Sequence, residues 1–210
     1  MSVWGIVVAG GAGARFGGSK QFLELRGRRL VDRAVSAASL ACDAIVVVLP
    51  GGTVWDGPAV DRTVEGGPTR AASVRAGLGA VPDDAEVVVV HDAARPLASS
   101  ELFDAVIEAV RAGADAAVPA IAVSDTIKRI DGPRVVETVS RDQLVAVQTP
   151  QGFKAGALRA AHSDDPEATD DAALVERRGG TVVVVAGDPR NRKVTTPEDL
   201  SVLSHLEDHA

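Results

Sequence analysis

The sequence contains very little cysteine and no long hydrophobic stretch, and each absence excludes a class of protein. Cys42 is the only cysteine in 210 residues, so an internal disulfide and a cysteine-based zinc site are both excluded. No apolar run approaches the ~18 residues of a membrane span, and no Lys or Arg precedes the first apolar run. We therefore expect neither export nor membrane insertion, and we expect a reducing cytoplasm as the location.

The chain also lacks an excess of positive charge. Its 22 Lys and Arg residues are outnumbered by 29 Asp and Glu residues, and the formal net charge is -7. This balance argues against a general affinity for nucleic acid or for an anionic membrane. An anionic small-molecule substrate would have to be met by a local basic pocket.

Short apolar runs rich in β-branched residues alternate with helical patterns along the chain, as is typical of a parallel sheet with helices on its faces. No internal repeat or low-complexity linker divides the sequence, so we expect a single domain over residues 1–210. The predicted fold is a three-layer, Rossmann-like α/β fold with a twisted, mostly parallel sheet and helices on both faces. Strands are predicted at 3–9, 44–49, 61–65, 86–90, 114–120, 144–147 and 181–185, and helices at 29–41, 70–79, 99–112, 154–162, after 169–171 and from 197.

One segment departs from this alternation. Residues 125–130 and 134–139 alternate polar with apolar side chains on either side of Asp131-Gly132-Pro133, which predicts a β-hairpin. Because these strands lie outside the βαβ order, we expect an arm at about residues 124–141 that projects from the domain. Its apolar side needs a cover, and we expect a second subunit to supply it.

The first predicted strand leads into a glycine-rich loop that carries two cations, Arg15 and Lys20. Gly10, Gly11 and Gly13 lack the Cβ atoms that would keep a ligand's phosphates away from the backbone N–H groups. The loop is therefore predicted to bind phosphate.

Two common phosphate loops do not fit this stretch. A dinucleotide-binding loop runs straight into a helix and is followed about 20 residues later by an acid for the ribose. Here Gly17-Gly18 would break a helix at once, and no carboxylate lies at the ribose position. A Walker-type loop needs Gly-Lys-Ser/Thr, whereas Ser19 precedes Lys20. What remains is a loop that carries Arg15 and Lys20 over a polyphosphate, the layout expected of a nucleotidyltransferase; the alternative is a glycine-rich turn with solvated cations.

Several other loops follow predicted strands. Ligands of open α/β sheets bind beyond the carboxyl ends of the strands, so the glycine-rich loop and segments 66–67, 91–95 and 190–193 are predicted to rim one crevice. The cations expected to converge there are Arg15, Lys20, Arg95 and Lys193, around one candidate metal carboxylate, Asp92.

Nucleotidyl transfer to a phosphorylated acceptor needs no general base, because a phosphate monoester with a second pKa of about 6 is already anionic at neutral pH. Cations and a divalent metal can bring the two anions together and stabilise the added charge. We therefore interpret His91 as a structural residue. Asp170 and Asp171 are interpreted as helix-cap residues.

Seven motifs, in order, resemble the 2-C-methyl-D-erythritol 4-phosphate cytidylyltransferase family over nearly the whole chain. They are residues 9–11 through 20–22, 66–67 with Arg70 and Ser73, 91–96, 124–128, 148–151, 169–172 and 193–195. The resemblance implies transfer of CMP from CTP to 2-C-methyl-D-erythritol 4-phosphate. The products would be 4-diphosphocytidyl-2-C-methyl-D-erythritol and pyrophosphate, in the non-mevalonate pathway to isoprenoid precursors. It also implies Mg²⁺ as cofactor and a homodimer formed through the arm.

Carried over residue by residue, the resemblance implies that Arg15 and Lys20 stabilise the transition state at the α-phosphate, and that Arg141 and Lys193 position the acceptor. The residues expected to bind CTP are Ala9, Gly10, Gly11, Gly13, Gly67, Ser73 and Ala93. Those expected to contact the acceptor are Asp92, Arg95, Thr126 and Thr149, with Asp92 also beside the magnesium. Since the arm would reach into the partner's site, Thr126 and Arg141 are candidates for the neighbouring subunit's site.

The chain departs from the family pattern at two places. The segment between Arg15 and Lys20 is short, and Pro68 stands where a residue with a backbone N–H is usual, so base recognition is expected to be rearranged locally.

Three rival functions stay open at the level of the sequence. Ribitol-5-phosphate cytidylyltransferases share much of the pattern, although residues 125–128 and 169–171 favour methylerythritol phosphate. The two rivals from different classes are a nicotinamide-dependent oxidoreductase and a non-catalytic nucleotide-binding protein of the same fold. The first lacks its ribose acid, and the second would be expected to have lost the loop cations that this chain retains.

Overall fold

The computed structural model describes residues 2–11, 19–164, 167–168 and 170–208. In chain order the strands are β1 (Val3–Val8), β2 (Glu24–Leu25), β3 (Arg28–Arg29), β4 (Ala44–Leu49), β5 (Arg62–Glu65), β6 (Val87–Asp92), β7 (Ala116–Ala122), β8 (Ile127–Asp131), β9 (Arg134–Val139), β10 (Val145–Val147), β11 (Gln151–Lys154) and β12 (Val182–Ala186). The α-helices are α1 (Leu30–Ala38), α2 (Arg70–Gly79), α3 (Ser100–Arg111), α4 (Ala155–His162), α5 (Ala172–Arg177) and α6 (Pro197–Asp208). One turn of 3-10 helix spans Lys20–Phe22.

The central sheet has the strand order β10-β7-β11-β6-β1-β4-β5, with β12 paired to β7. Strands β1, β4, β5 and β6 run parallel, and β12 runs parallel to β7. Strands β10 and β11 are antiparallel to their neighbours. The predicted mostly parallel α/β sheet is therefore confirmed.

Helices cover both faces of this sheet, because successive residues of its inner strands point to opposite faces and are apolar on each. Val47 of β4 packs on one face with Val35 of α1 and Phe103 of α3. Val48 packs on the other face with α2, α4 and α5. All six residues of β4 are buried as a result, and the three-layer arrangement follows.

The structure differs from the sequence prediction at two places near the sheet. No strand was predicted between residues 147 and 154, which is wrong: Gln151–Lys154 is β11, an antiparallel strand inserted between β6 and β7. Strand β6 also extends to Asp92, so His91 and Asp92 are its last two residues rather than loop residues. Both differences arise because neighbouring strands offer ladder partners that the local sequence does not reveal.

The predicted hairpin is present. Among the described strands, β8 and β9 pair with each other in a two-stranded sheet of their own, and Gly132 makes the turn with φ 53°. Ile130, Val135 and Val136 are each more than half exposed within this chain. The arm therefore presents apolar side chains that the chain itself does not cover.

A small third cluster fastens the end of the chain to its beginning. Leu203 of α6 and Val194 pack with Leu25 of β2 and with Leu30, and all four are buried. This contact places the segment after β12 beside the turn that follows the glycine-rich loop. Among the helices of the described residues, none is both long enough and apolar enough to cross a membrane.

Candidate active site

Two glycine-containing turns touch at the carboxyl end of the sheet. A Cβ atom built on Gly10 would lie 3.2 Å from the Cα atom of Gly66, and one built on Gly66 would lie 3.1 Å from the Cα atom of Gly10. The Ser73 hydroxyl donates to the carbonyl of Gly67 at 3.3 Å. Side chains at these two glycines would push the turns apart, so glycine is required where they meet.

Most residues predicted to bind CTP gather around this contact. The Ala9 N–H donates to the Val48 carbonyl at 2.8 Å, and the Ala93 N–H donates to the Val8 carbonyl at 3.1 Å. The carbonyl of Gly11 accepts from Gln21 Nε2 at 3.2 Å. Ala9, Gly10, Gly67, Ser73 and Ala93 therefore line the ends of β1 and its neighbours, whereas Gly13 and Arg15 lie outside the described residues.

Lys20, near the start of the chain, contacts the segment that follows β12 near its end. Its ammonium donates to the carbonyl oxygen of Val194 at 2.7 Å, immediately after Lys193. The structure thus brings together two of the predicted cations that are far apart in sequence. Lys20 itself does not line the pocket described next.

A pocket of about 210 Å³ opens next to the glycine turns, and we call it the cationic pocket. Three cations, two carboxylates and three polar uncharged side chains surround it with Val147. Its lining residues are Arg70, Asp92, Arg95, Val147, Gln148, Thr149, Gln151, Asp170 and Lys193. Four predicted site residues, Asp92, Arg95, Thr149 and Lys193, are therefore brought together here.

Asp92 is the centre of the charges in this pocket. Its Oδ1 accepts from Arg70 Nε at 3.0 Å, and its Oδ2 accepts from Lys193 Nζ at 2.6 Å. Burial alone would raise the pKa of Asp92, but the charges of Arg70 and Lys193 outweigh burial and hold this pKa well below its usual range. Asp92 is therefore a carboxylate with both oxygen atoms occupied by cations.

The loop after β12 is held by hydrogen bonds to the segment between β10 and β11 and to the turn after β6. Asn191 Nδ2 donates to the Thr149 carbonyl at 2.9 Å, and the Asn191 carbonyl accepts from Arg95 Nη1 at 2.7 Å. Gln148 Nε2 donates to the Asp188 carbonyl at 2.8 Å. These bonds fix the backbone two residues before Lys193.

His91 is a buried residue that contacts two of the residues lining the pocket, Arg95 and Thr149. It is 1% exposed, its Nε2 lies 3.2 Å from the Arg95 carbonyl, and its Nδ1 lies 3.2 Å from Thr149 Oγ1. A carbonyl can only accept, so the proton is assigned to Nε2. Burial lowers the pKa of His91 to about 4, so the ring is neutral at pH 7. This geometry supports the interpretation of His91 as a structural residue.

Pocket residues leave some polar atoms for a ligand. Arg70 Nη2, Arg95 Nε and Gln151 Oε1 are buried, and within the described part of the chain they have no hydrogen-bond partner. Buried polar groups normally find a partner. Two donors and one acceptor of residues that line the pocket thus lack a partner within the described part of the chain.

The predicted arm residues are not in this pocket. Thr126 and Arg141 are exposed on the arm, and Arg141 Nη1 donates to the nearby Ser124 carbonyl. Within one chain the structure therefore does not bring Arg141 together with Lys193.

Several residues of the cationic pocket had no role predicted from the sequence. Arg70, Gln148 and Gln151 lie within the motifs quoted above, but without contacts their spacing indicates no partner. Asp170 caps α5 as predicted, since its Oδ1 accepts from the Ala173 N–H at 3.0 Å. The cap interpretation is wrong for Asp171, whose side chain makes no cap bond and pairs instead with Arg70 and His162.

A metal would find few ligands in the protein itself. Within residues 2–11, 19–164, 167–168 and 170–208, no group of three or more His, Cys, Asp or Glu residues could hold a metal ion. Asp92 is the carboxylate of the pocket closest to the cations. A divalent ion at this site would therefore need most of its oxygen ligands from the substrate.

The chain is similar to known proteins over nearly its whole length. The family model described as 2-C-methyl-D-erythritol 4-phosphate cytidylyltransferase matches residues 3–206. A curated relative of that name from Nocardia farcinica is 46% identical over 218 residues, covering 99% of this chain and 94% of the relative. A bifunctional enzyme IspD/IspF from Solidesulfovibrio magneticus is 41% identical and covers 97% of this chain, which spans only 57% of that protein.

A solved structure has the same fold. The crystal structure of 2-C-methyl-D-erythritol 4-phosphate cytidylyltransferase from Thermus thermophilus superposes with a TM-score of 0.86 at 36% identity, covering 99% of this chain and 100% of that one. Since the family model matches nearly the whole sequence and the fold agrees, the chain belongs to the 2-C-methyl-D-erythritol 4-phosphate cytidylyltransferase family and is an enzyme of the nucleotidyltransferase class.

Proposed function

We propose that the chain transfers CMP from CTP to 2-C-methyl-D-erythritol 4-phosphate, giving 4-diphosphocytidyl-2-C-methyl-D-erythritol and pyrophosphate. The observation that carries the proposal is the cationic pocket, where Arg70, Arg95 and Lys193 surround Asp92 beside the paired glycine turns. Relatives 40% to 46% identical over nearly their whole length are named for this activity. This family placement favours methylerythritol phosphate over ribitol phosphate as acceptor, and favours group transfer over nicotinamide chemistry.

The acceptor phosphate would occupy the cationic pocket. Lys193 and Arg95 would bind its negative charge, and Thr149 would line the space beside it. The oxygen of this phosphate attacks the α-phosphorus of CTP, and the bond between that phosphorus and the oxygen of the β-phosphate breaks. Pyrophosphate leaves with the electron pair of the broken bond.

No protein base is needed for this attack. The acceptor phosphate is already ionised at neutral pH, and His91, the buried imidazole nearest the pocket, engages both ring nitrogens within the protein. The residues would instead act by holding two anions in line and by stabilising the charge that develops. Lys20 and Arg15 are proposed for the second task at the α-phosphate.

The nucleotide would lie along the glycine turns. Backbone N–H groups between Ala9 and Gly13, together with Gly67, Ser73 and Ala93, are proposed to hold the cytidine and its phosphates. The close approach of Gly10 and Gly66 leaves backbone rather than side chains facing this space. Pro68 removes one backbone donor there, so base recognition is expected to use other groups.

We propose Mg²⁺ as cofactor, held mainly by triphosphate oxygens, with Asp92 as the protein ligand. Each Asp92 oxygen accepts from one cation, Arg70 or Lys193, and keeps a second lone pair with which it would contact an ion held mainly by the triphosphate. The ion would neutralise part of the triphosphate charge. Activity should then require a divalent cation and disappear with a chelator.

We further propose that the chain acts as a cytoplasmic homodimer. The arm leaves Ile130, Val135 and Val136 exposed, and a partner subunit would bury them. In that dimer Thr126 and Arg141 would enter the partner's pocket, where Arg141 would join Lys193 around the acceptor phosphate. The single, buried Cys42 suits a reducing compartment.

The decisive experiment measures pyrophosphate release from CTP and Mg²⁺ with methylerythritol phosphate or with ribitol phosphate. We expect turnover with methylerythritol phosphate and little with ribitol phosphate. Turnover of ribitol phosphate alone would replace the proposed acceptor. No turnover with either acceptor, together with CTP binding, would indicate a nucleotide-binding protein, and preferential binding of a nicotinamide cofactor would indicate an oxidoreductase.

A further inference from the structure

Arg70 joins two carboxylates at the border of the cationic pocket. Its Nε donates to Asp92 at 3.0 Å, and its Nη1 donates to Asp171 Oδ2 at 2.7 Å. Asp171 Oδ1 lies 3.0 Å from His162 Nε2, and Asp92 Oδ2 lies 2.6 Å from Lys193 Nζ. A continuous row of side chains therefore runs from His162 through Asp171, Arg70 and Asp92 to Lys193, and we call it the Arg70 row.

The Arg70 row ties together elements that are distant in sequence. Arg70 is the first residue of α2, Asp92 ends β6, His162 ends α4, and Asp171 immediately precedes α5. His162 and Asp171 are almost completely buried, with side chains 2% and 1% exposed. The end of the row formed by His162 and Asp171 is thus buried inside the protein. The Lys193 side chain at the other end is 39% exposed at the pocket.

Stability alone does not account for this arrangement. Burying ion pairs costs desolvation energy that their attraction recovers only in part, so such pairs are a weak source of folding free energy. Guanidinium, however, offers donors in a rigid planar fork, so it can hold two carboxylates at a fixed separation, as an ammonium group cannot. The geometry of Arg70 uses this property, with separate nitrogens on Asp92 and Asp171.

Arg70 also determines how much charge Lys193 presents to a ligand. Asp92 divides its charge between Arg70 and Lys193. Without Arg70, the carboxylate would pair with Lys193 alone and would face the incoming phosphate with its remaining negative charge. Both changes would weaken binding of an anion in the cationic pocket.

We propose that Arg70 is a positioning residue of the transfer reaction. Anchored by Asp171 and His162, it fixes the Asp92 carboxylate and thereby keeps the Lys193 ammonium available to the acceptor phosphate. The inference rests on the proposed function, and it adds Arg70, Asp171 and His162 to the residues on which acceptor binding depends.

The first test compares Arg70→Lys with a matched control, Arg159→Lys. Arg159 has a similarly exposed side chain and donates to the Val81 and Pro82 carbonyls, away from the pocket. We expect Arg70→Lys to raise the KM for methylerythritol phosphate about tenfold, as loss of an orienting partner does in other sites, with the KM for CTP little changed. Arg159→Lys should change neither constant. An unchanged acceptor KM in Arg70→Lys overturns the proposal.

The second test separates positioning from simple charge. Asp171→Asn removes a negative charge near the pocket, so charge alone predicts tighter acceptor binding and a lower KM. Positioning predicts the opposite, because Arg70 loses its anchor. A raised acceptor KM supports the proposal, and a lowered or unchanged one overturns it. Should Arg70→Lys fail to fold, the direction of this change decides.

A double variant gives a readout that a merely structural role would not move. If Asp171 acts through Arg70, Asp171→Asn should change the acceptor KM much less in the Arg70→Lys background than in the wild type. Additive effects of the two substitutions on the acceptor KM would contradict the proposal that Asp171 acts through Arg70. A wild-type protein without turnover refutes the proposed function itself, whereas normal wild-type turnover with unaffected variants refutes only this inference.

Discussion

Protonation of His91 is expected to destabilise the protein within a defined pH range. The imidazole is buried against the ring of Phe103, with 5.1 Å between the ring centroids. In the neutral form Nε2–H donates to the Arg95 carbonyl, and Nδ1 is left to accept from the Thr149 hydroxyl. A second proton on Nδ1 would place a charge in this site and remove that acceptor.

The magnitude follows from the pKa. Burial lowers the pKa of His91 from 6.5 to about 4, and one pKa unit corresponds to about 1.4 kcal/mol. Because the folded pKa is depressed, the neutral His91 contributes stability that is fully present above pH 6.5 and is lost as the pH falls towards 4. The total is about 3 kcal/mol, of which about 2.5 kcal/mol should be lost between pH 7 and pH 4.5.

The assay is urea unfolding of the wild type and of His91→Gln at several pH values between 7 and 4.5. Glutamine retains an amide donor for the Arg95 carbonyl but cannot acquire a proton in this range. We expect the variant to be less stable at pH 7 but to lose about 2.5 kcal/mol less than the wild type on acidification. His205→Gln, at an exposed histidine of α6, is the control and should follow the wild-type profile. Parallel pH profiles for the wild type and His91→Gln would falsify the argument.

Three further predictions concern the loop, the arm and the core. Lys20→Ala should lower turnover by about 100-fold or more, because a charge at the transition state is lost; an unchanged rate in a pyrophosphate-release assay would remove Lys20 from the mechanism. Val136→Asp should weaken the proposed dimer without unfolding the chain, since Val136 is 52% exposed in one subunit; sedimentation that still shows a full dimer would contradict this. Gly77→Ala should lower the free energy of unfolding by about 1–3 kcal/mol, because its Cβ would lie 2.6 Å from Ile6 Cγ2. Gly79→Ala, with nothing within 4 Å, is its control in urea unfolding, and equal effects at the two sites would refute the packing argument.

The fold could be predicted best where local pattern and tertiary environment agree. Ala44–Leu49 and Arg70–Gly79 have the bounds expected from the sequence, since a six-residue apolar run can only be a fully buried strand here and Thr69 caps the helix that follows the glycine turn. The hairpin at β8 and β9 was likewise visible from its alternation and its turn residues. In each case a few neighbouring residues decide the structure.

Strand β11 could not be predicted in this way. Gln151–Lys154 contains no β-branched residue and follows a Thr-Pro pair, so its local preference is for a turn. It becomes a strand because β6 and β7 leave a gap whose backbone groups must be paired. That gap exists only after the rest of the sheet has formed.

The class of fold, the glycine-rich turns and the identity of most charged residues that surround the site can be predicted from the sequence alone. These depend on short-range patterns and on motifs whose spacing is local. Which of these charges become partners depends on the folded chain: Asp92 meets Arg70 across 22 residues and Lys193 across 101, and Asp171 meets Arg70 across 101. Electrostatic pairing depends on distance in space and on burial, neither of which is determined by sequence separation, so the Arg70 row became visible only in the folded chain.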